Sequence, residues 1–560
     1  MITHKSPISG IATFNNQYIA TAGYDNIVIL WNAVTGESIA RGCHDHLVNQ
    51  CVFSADGNFL ATSSSDYSAR IWSVPEMKLM SIINHHSDDV EGLSFHDEKP
   101  IFATSSRDKT ICVSDLDGNL IIKLEGHEAD VISVEWIKGT DVLVSSSDDG
   151  TVRYWDTKTG AILKTLSFDD VETDTIAITK EGIIFAGNDD GEIVLIKDGE
   201  IISKTFAHKA GIKRLIYSDE IKKIISLSYD RTFKIWNFEN EIFTLESIHS
   251  YETIVWARSC AFLNSEIIVF GTFGDKYATF NLAKKEWDIN INQTSGINSV
   301  LTYNGKVYTI GDSGILYVDG MKSANMGSLC NFLVEFEGNI ITGGQTGQIF
   351  NALTGEQIYQ HNSPLNCATI FESKNIKKIV IGAYTGEGIV LNMNGKKPSF
   401  EQVVKLHNNA IKGISASKEI IYSVCATGAA AFHSTDDFSC IRYFNDAHSK
   451  IANGCTFIDQ NSFASISRDL KLRIINQDEI LIIPTAHTNS IKCITSNKNG
   501  DLLALGDYNG SCSVYDIKSK KFIKHSKISD FGISSLTFDE IGNKFLASSY
   551  NGKVLDISFN

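Results

Sequence analysis

Aspartate stands six residues before tryptophan in four separate stretches of this chain: Asp25 to Trp31, Asp66 to Trp72, Asp149 to Trp155 and Asp230 to Trp236. Twenty-two residues before Asp66, Asp149 and Asp230 stand His44, His127 and His208, and four residues before them stand Thr62, Ser145 and Ser226. Asp108 has His86 and Thr104 at the same offsets, with Ser114 in the tryptophan position. Agreement of three offsets marks an internal repeat, and a repeat constrains the architecture before any single element does. Each copy supplies short alternating stretches such as 151–155, bounded by turn residues such as Asp149-Gly150, the pattern of antiparallel strands joined tightly. One such sheet cannot bury both of its faces. Stacking sheets around an axis buries them and leaves only short edges.

Fainter copies have turn signals near Asp190, Gly274, Asp312, Thr346, Thr385, Thr427, Asp469, Asn509 and Asn551, giving about fourteen repeats of roughly 40 residues. All seven tryptophans lie before residue 288, so the chain is expected to divide into 1–288 and a degenerate 289–560. The second half keeps part of the spacing at His448/Ser465/Asp469 and His487/Asn509/Tyr515, with Ile475 and Tyr515 in the tryptophan position. Between 289 and 446 the repeat limits are blurred by several residues. For ring closure two arrangements stand: Met1–Lys5 adds a short outer strand, or the last sheet keeps three strands.

The run GHEADVISVEW (Gly126–Trp136) followed by VSSSDDGTVRYWD (Val144–Asp156) resembles the WD40 family. The resemblance implies an all-β fold of two consecutive β-propellers, most simply of seven blades each. In blade count and length it is similar to tandem-propeller proteins of the actin-interacting protein 1 type and to the propeller subunit of Elongator. It also implies that His44/Thr62/Asp66/Trp72, His127/Ser145/Asp149/Trp155 and His208/Ser226/Asp230/Trp236 form buried hydrogen-bond chains pinning each blade. Histidine, serine and aspartate are also the types that activate a nucleophile. An active site, however, occurs once and not once per blade, so the structural reading is the expectation.

The net charge of −16 repels a phosphate backbone, so nucleic acid is not an expected partner. Eleven cysteines without CxxC pairs fit small buried apolar groups in a reducing compartment, hence a cytoplasmic expectation. No run of about 18 apolar residues points to membrane insertion. Walker A, GxSxG and HExxH motifs are absent from the sequence, and neither cofactor nor metal is expected. The chain therefore reads as a non-enzymatic scaffold or adaptor. The alternative is an enzyme with its site in the central channel of the degenerate ring, for which His361, His407 and His433 are the candidates.

Propellers bind through loops at one end of the ring, held by rigid blades. Two repeat positions point there: the residue before the turn aspartate, and the residue before the first strand's inward apolar residue. In the first ring they supply Tyr24, Arg107, Asp148, Asp189, Tyr229 and Trp256, with Arg258 one strand position further in. Aromatics beside arginine are the composition of a binding hot spot, although Trp256 equally suits packing between blades. Asp88, Asp89, Asp130, Asp148 and Asp189 add an acidic sector that favours a basic segment or a multi-protein complex as partner. In the second ring Arg468, Tyr508 and Tyr550 hold the first of these positions.

Overall fold

The computed structural model of the chain describes residues 2–292 and 296–558. Among them the regular structure is all β, arranged as thirteen four-stranded antiparallel sheets and one three-stranded sheet. Each sheet consists of strands consecutive in the chain. The chain falls into two compact units, Met1–Thr294 and Ser295–Asn560, with seven sheets in each. The division comes a few residues after position 288. All nine faint turn signals, from Asp190 to Asn551, join the second and third strands of a sheet.

In the first unit the first strand of every sheet packs against those of its two neighbours, and Ile8–Phe14 meets Val255–Phe262 to close the circle. At that closure Ser259 Oγ accepts from Ile11 N at 2.9 Å and Thr13 Oγ1 donates to the Phe262 carbonyl at 2.6 Å. The second unit closes likewise, with Ile297–Tyr303 against Ile533–Asp539. Residues 2–5 form no strand, and the final sheet, 533–557, has three strands among the described residues. Of the two closures expected, the three-stranded one is found.

The burial pattern follows from this stacking. Second strands such as Val142–Ser147 and Phe59–Ser64 are covered on both faces, whereas fourth strands such as Ile162–Ser167 are half exposed. Their Ala-Thr-Ser-Ser character suits the doubly covered position, because small side chains let sheets approach on either side. Each junction between neighbouring sheets of the first unit carries its own apolar cluster. Val152, Phe168, Ile184 and Val194, for example, fill the one between the fourth and fifth sheets.

One backbone device recurs. First strands carry a β-bulge near their start, as between Val48 and Gln50, Val131 and Ser133, and Ile411 and Gly413. The bulged residue leaves the ladder and reaches sideways. Where it is asparagine it stitches the ring: Asn49, Asn331, Asn366 and Asn453 donate to the carbonyls of Val90, Leu365, Ile411 and Ile491 on the next sheet, at 2.7–2.9 Å. The residue after the turn aspartate is left-handed, with φ of 71° at Gly150 but also 68° at Tyr67, 70° at Lys109 and 66° at Arg231. Those three side chains accept a strained backbone that glycine would adopt freely.

Candidate functional site

The repeat's polar residues meet inside the blades. His127 Nδ1 lies 2.7 Å from Asp149 Oδ2 and His127 Nε2 lies 2.7 Å from Ser145 Oγ, which accepts from Trp155 Nε1 at 2.8 Å. His44 makes the same contacts with Asp66 and Thr62, the latter bonded to Trp72. His208 makes them with Asp230 and Ser226, the latter bonded to Trp236. One proton assignment satisfies every atom: a neutral histidine donates from Nδ1 to the carboxylate and accepts at Nε2 from the hydroxyl, whose oxygen takes the indole N–H. Burial pushes the His127 and His44 imidazoles below their ordinary range. Burial also opposes the charge on Asp149, but the bonds from His127 and Thr151 outweigh it and hold the carboxyl far below the usual value. Ser145, Thr62 and Ser226 are fully buried, so no substrate carbonyl reaches their hydroxyls. These chains hold loop, turn and strands together.

His4 joins the set with Thr21, Asp25 and Trp31. A fixed step of 22 misses it because its loop is one residue shorter, and His4 to Asp25 is 21. The second unit rebuilds the chain with other parts. His487 bonds Asp507 at 2.7 Å and Ser513 at 2.8 Å, so the carboxylate comes from Asp507 at the strand end rather than from the Asn509 turn position. His448 keeps Ser465 at 2.8 Å, but Arg473 takes Asp469 at 2.6 Å and leaves His448 Nδ1 at 3.9 Å. Tyr422 from the neighbouring sheet reaches Ser465 at 3.1 Å, where an indole would otherwise donate.

The three histidines considered for catalysis occupy such positions. His407 bonds Ser423 at 2.9 Å, and His433, six residues after Thr427, fills the tryptophan position with ring centroids 6.5 Å from His407. His361 pairs with Glu387 at 3.2 Å. Burial pushes His407 and His433 down to about 4. Among the described residues no group of three or more His, Cys, Asp or Glu side chains has metal-site geometry, and all eleven cysteines are unpaired.

The first ring's surface candidates come together at the end of the ring where the first strands begin. Arg107 Nε and Nη1 reach Glu91 and Asp130, each at 2.6 Å, and Arg258 reaches the other Glu91 oxygen at 3.4 Å. Lys213 bridges Asp174 and Asp189 and lies 5.3 Å above the Tyr229 ring. Trp256 is 7% exposed and packs between Tyr24, edge-on at 5.2 Å, and Phe273 at 5.3 Å, with Arg258 5.8 Å above it. Of its two expected places the indole takes packing between blades, because two aromatic neighbours and the Arg258 guanidinium bury it more completely than a rim would. Arg107 is engaged inside the belt, so reversing its charge breaks ring contacts as well as any partner contact.

Asp148 differs from the other members. Burial and the nearby Asp174, Glu172 and Asp130 push its carboxyl well above the ordinary range, with Arg107 opposing, and its Oδ1 is shut off from solvent with no hydrogen-bond partner. Glu91, Asp174 and Lys213 are the members that sequence reasoning missed. All three are bulge residues, and the available signal was a charge set between the apolar or small residues of a first strand: Val90-Glu91-Gly92, Thr173-Asp174-Thr175 and Ile212-Lys213.

A closed ring of sheets pinned by histidine–hydroxyl–aspartate–tryptophan chains defines the propeller class. The family model "WD domain, G-beta repeat" matches residues 1–32, 37–73, 77–115 and 118–156, and the model of the anaphase-promoting complex subunit 4 WD40 domain matches 457–541. The chain carries WD40 repeats in these segments. The target of rapamycin complex subunit wat1 of Schizosaccharomyces pombe is 27% identical over 241 residues, 41% of this chain and 76% of its own length. The COMPASS component SWD3 of Saccharomyces cerevisiae is 31% identical over 158 residues, 28% of this chain and half of its own length. The solved structure of U3-55K covers 48% of this chain and 89% of its own at 18% identity, with a TM-score of 0.44.

Proposed function

We propose that this protein is a non-enzymatic scaffold whose first ring holds a basic segment of a protein partner at the mouth of its channel. The observation that carries the reading is Asp148, whose Oδ1 is buried and has no donor within the ring. A buried acceptor without a partner is an expensive state, which a hydrogen-bonded cation relieves. The belt is short of cations: Arg107, Lys213 and Arg258 face Glu91, Asp130, Asp148, Asp174 and Asp189. A lysine or arginine from outside supplies what is missing. Relatives named as a complex subunit and a complex component support placing the protein in a multi-protein assembly. No described helix is long and apolar enough to cross a membrane.

The test is fluorescence anisotropy with a labelled heptapeptide carrying two arginines and a lysine, against the same peptide with glutamines. The wild type should prefer the charged peptide, and Asp148→Asn should weaken it by about tenfold or more, the worth of a charge-assisted bond. Asp148→Asn should also melt higher than wild type, because the amide removes an uncompensated charge while keeping the shape. Unchanged peptide binding by this variant would refute the proposal.

A further inference from the structure

The second ring carries the opposite charge at the corresponding positions. Two of its inner-strand bulge residues are Lys412 and Lys492, and the residues following the second strands include Tyr384, Arg468, Tyr508 and Tyr550. Lys412 Nζ stands 4.1 Å from the centroid of Tyr384, and Lys492 Nζ stands 5.9 Å from that of Tyr508. Tyr508 in turn stacks on Tyr550, centroids 6.0 Å apart and planes 8° from parallel. These groups form one cluster, since Tyr508, Tyr384 and Arg468 all act on the charge of Lys492.

What separates Lys412 and Lys492 from the bulge lysine of the first ring is what faces their ammonium groups. Lys213, the bulge lysine of the first ring, takes two aspartates. Lys412 Nζ faces the Tyr384 ring, and the groups that act most on Lys492 are Tyr508, Tyr384, Cys493 and Arg468, with no carboxylate among them. Asp312 is the one acid at the equivalent positions of the second ring, and Asn298 donates to it at 3.0 Å. An ammonium held over an aromatic face keeps part of its interaction energy but loses water on that side, so an incoming anion meets a partly desolvated cation already in place.

We propose that the mouth of the second ring binds an acidic peptide segment of a protein partner, with carboxylates set against Lys412 and Lys492 and the tyrosine rings flanking them. A small local excess of cations suits a few carboxylates. A long polyanion would be repelled by the rest of a chain whose net charge is −16. The inference stands apart from the basic-segment reading, since it uses the other ring and neither depends on the other.

The experiment is anisotropy on the full chain with a labelled heptapeptide of four glutamates, its glutamine counterpart, and a heptameric oligouridine. The glutamate peptide should bind at least about tenfold tighter than the glutamine one at low salt, and should weaken as salt rises from about 50 to about 300 mM. The double variant Lys412→Gln/Lys492→Gln should lose this preference, and Lys412→Arg/Lys492→Arg should retain it. Equal binding of the two peptides, salt-independent binding, or tighter binding of oligouridine would overturn the proposal. The first two readouts need only wild-type protein and hold even if the glutamine variant fails to fold.

Discussion

Replacing Asp149 by alanine removes the acceptor for five donors: His127 Nδ1 at 2.7 Å, Thr151 Oγ1 at 2.6 Å, the amides of Glu128 and Thr151 at 3.0 Å, and Arg153 Nη2 at 3.4 Å. They are not equal in consequence. The His127 side chain is 1% exposed, so its N–H is stranded where water cannot replace the carboxylate. Glu128 is exposed and Thr151 and Arg153 are partly so, and these donors recover hydration. One stranded, charge-assisted bond plus small losses at the others amounts to about 2–4 kcal/mol. In a unit of this size that lowers the melting temperature by roughly 4–8 °C. Tryptophan fluorescence isolates the affected ring, because all seven tryptophans lie before residue 288. Asp156→Ala is the control: that carboxylate ends a strand and accepts the Lys158 amide at 2.8 Å, but beside an exposed turn, and its loss should cost about 1 kcal/mol or less. A fluorescence melt unchanged by Asp149→Ala, or lowered equally by Asp156→Ala, would refute the argument that burial decides the cost.

In the second ring, acid should weaken the fold early. His407 and His433 are pushed down to about 4, so between the ordinary histidine value of about 6.5 and 4 the unfolded chain takes up protons that the folded chain does not. Their stabilisation is complete above about 6.5 and declines as pH falls, by up to about 3 kcal/mol for each histidine; a far-ultraviolet circular dichroism melt indifferent to pH between 7 and 5 would contradict this. Arg473→Leu should destabilise the same ring by about 3–5 kcal/mol, because it leaves Asp469 buried without its cation. Dichroism is again the readout, in a ring that has no tryptophan, and a melt within a degree of wild type would exclude the pairing as a stabilising element.

The tetrads were legible because each blade sets the same four residues at the same spacing along one chain, so local offsets carry the geometry. His4 was lost to a single deleted loop residue, and Asp507 to a carboxylate supplied from the strand end instead of the turn. The Arg473 substitution is visible in the structure alone: arginine four residues beyond Asp469 also occurs at Arg70 and Arg153, which reach Asp66 and Asp149 at 3.3 and 3.4 Å without displacing the histidine. Only packing decides which partner the aspartate keeps.

The sequence by itself determined the repeat, the all-β class, the turns, the polar pins and the acidic balance of the loop positions, since each depends on neighbours within one blade. Tertiary structure decided what depends on neighbouring blades. It buried Trp256 between Tyr24 and Phe273, engaged Arg107 with Glu91 and Asp130, and left one Asp148 oxygen without a donor. It also brought Lys412 and Lys492 onto tyrosine rings. The reason is the bulge that opens the first strands. It turns one residue out of its ladder, and partners such as Asn49 and Val90 or Lys213 and Asp174 then lie 41 and 39 residues apart on neighbouring sheets, where no short-range pattern records them.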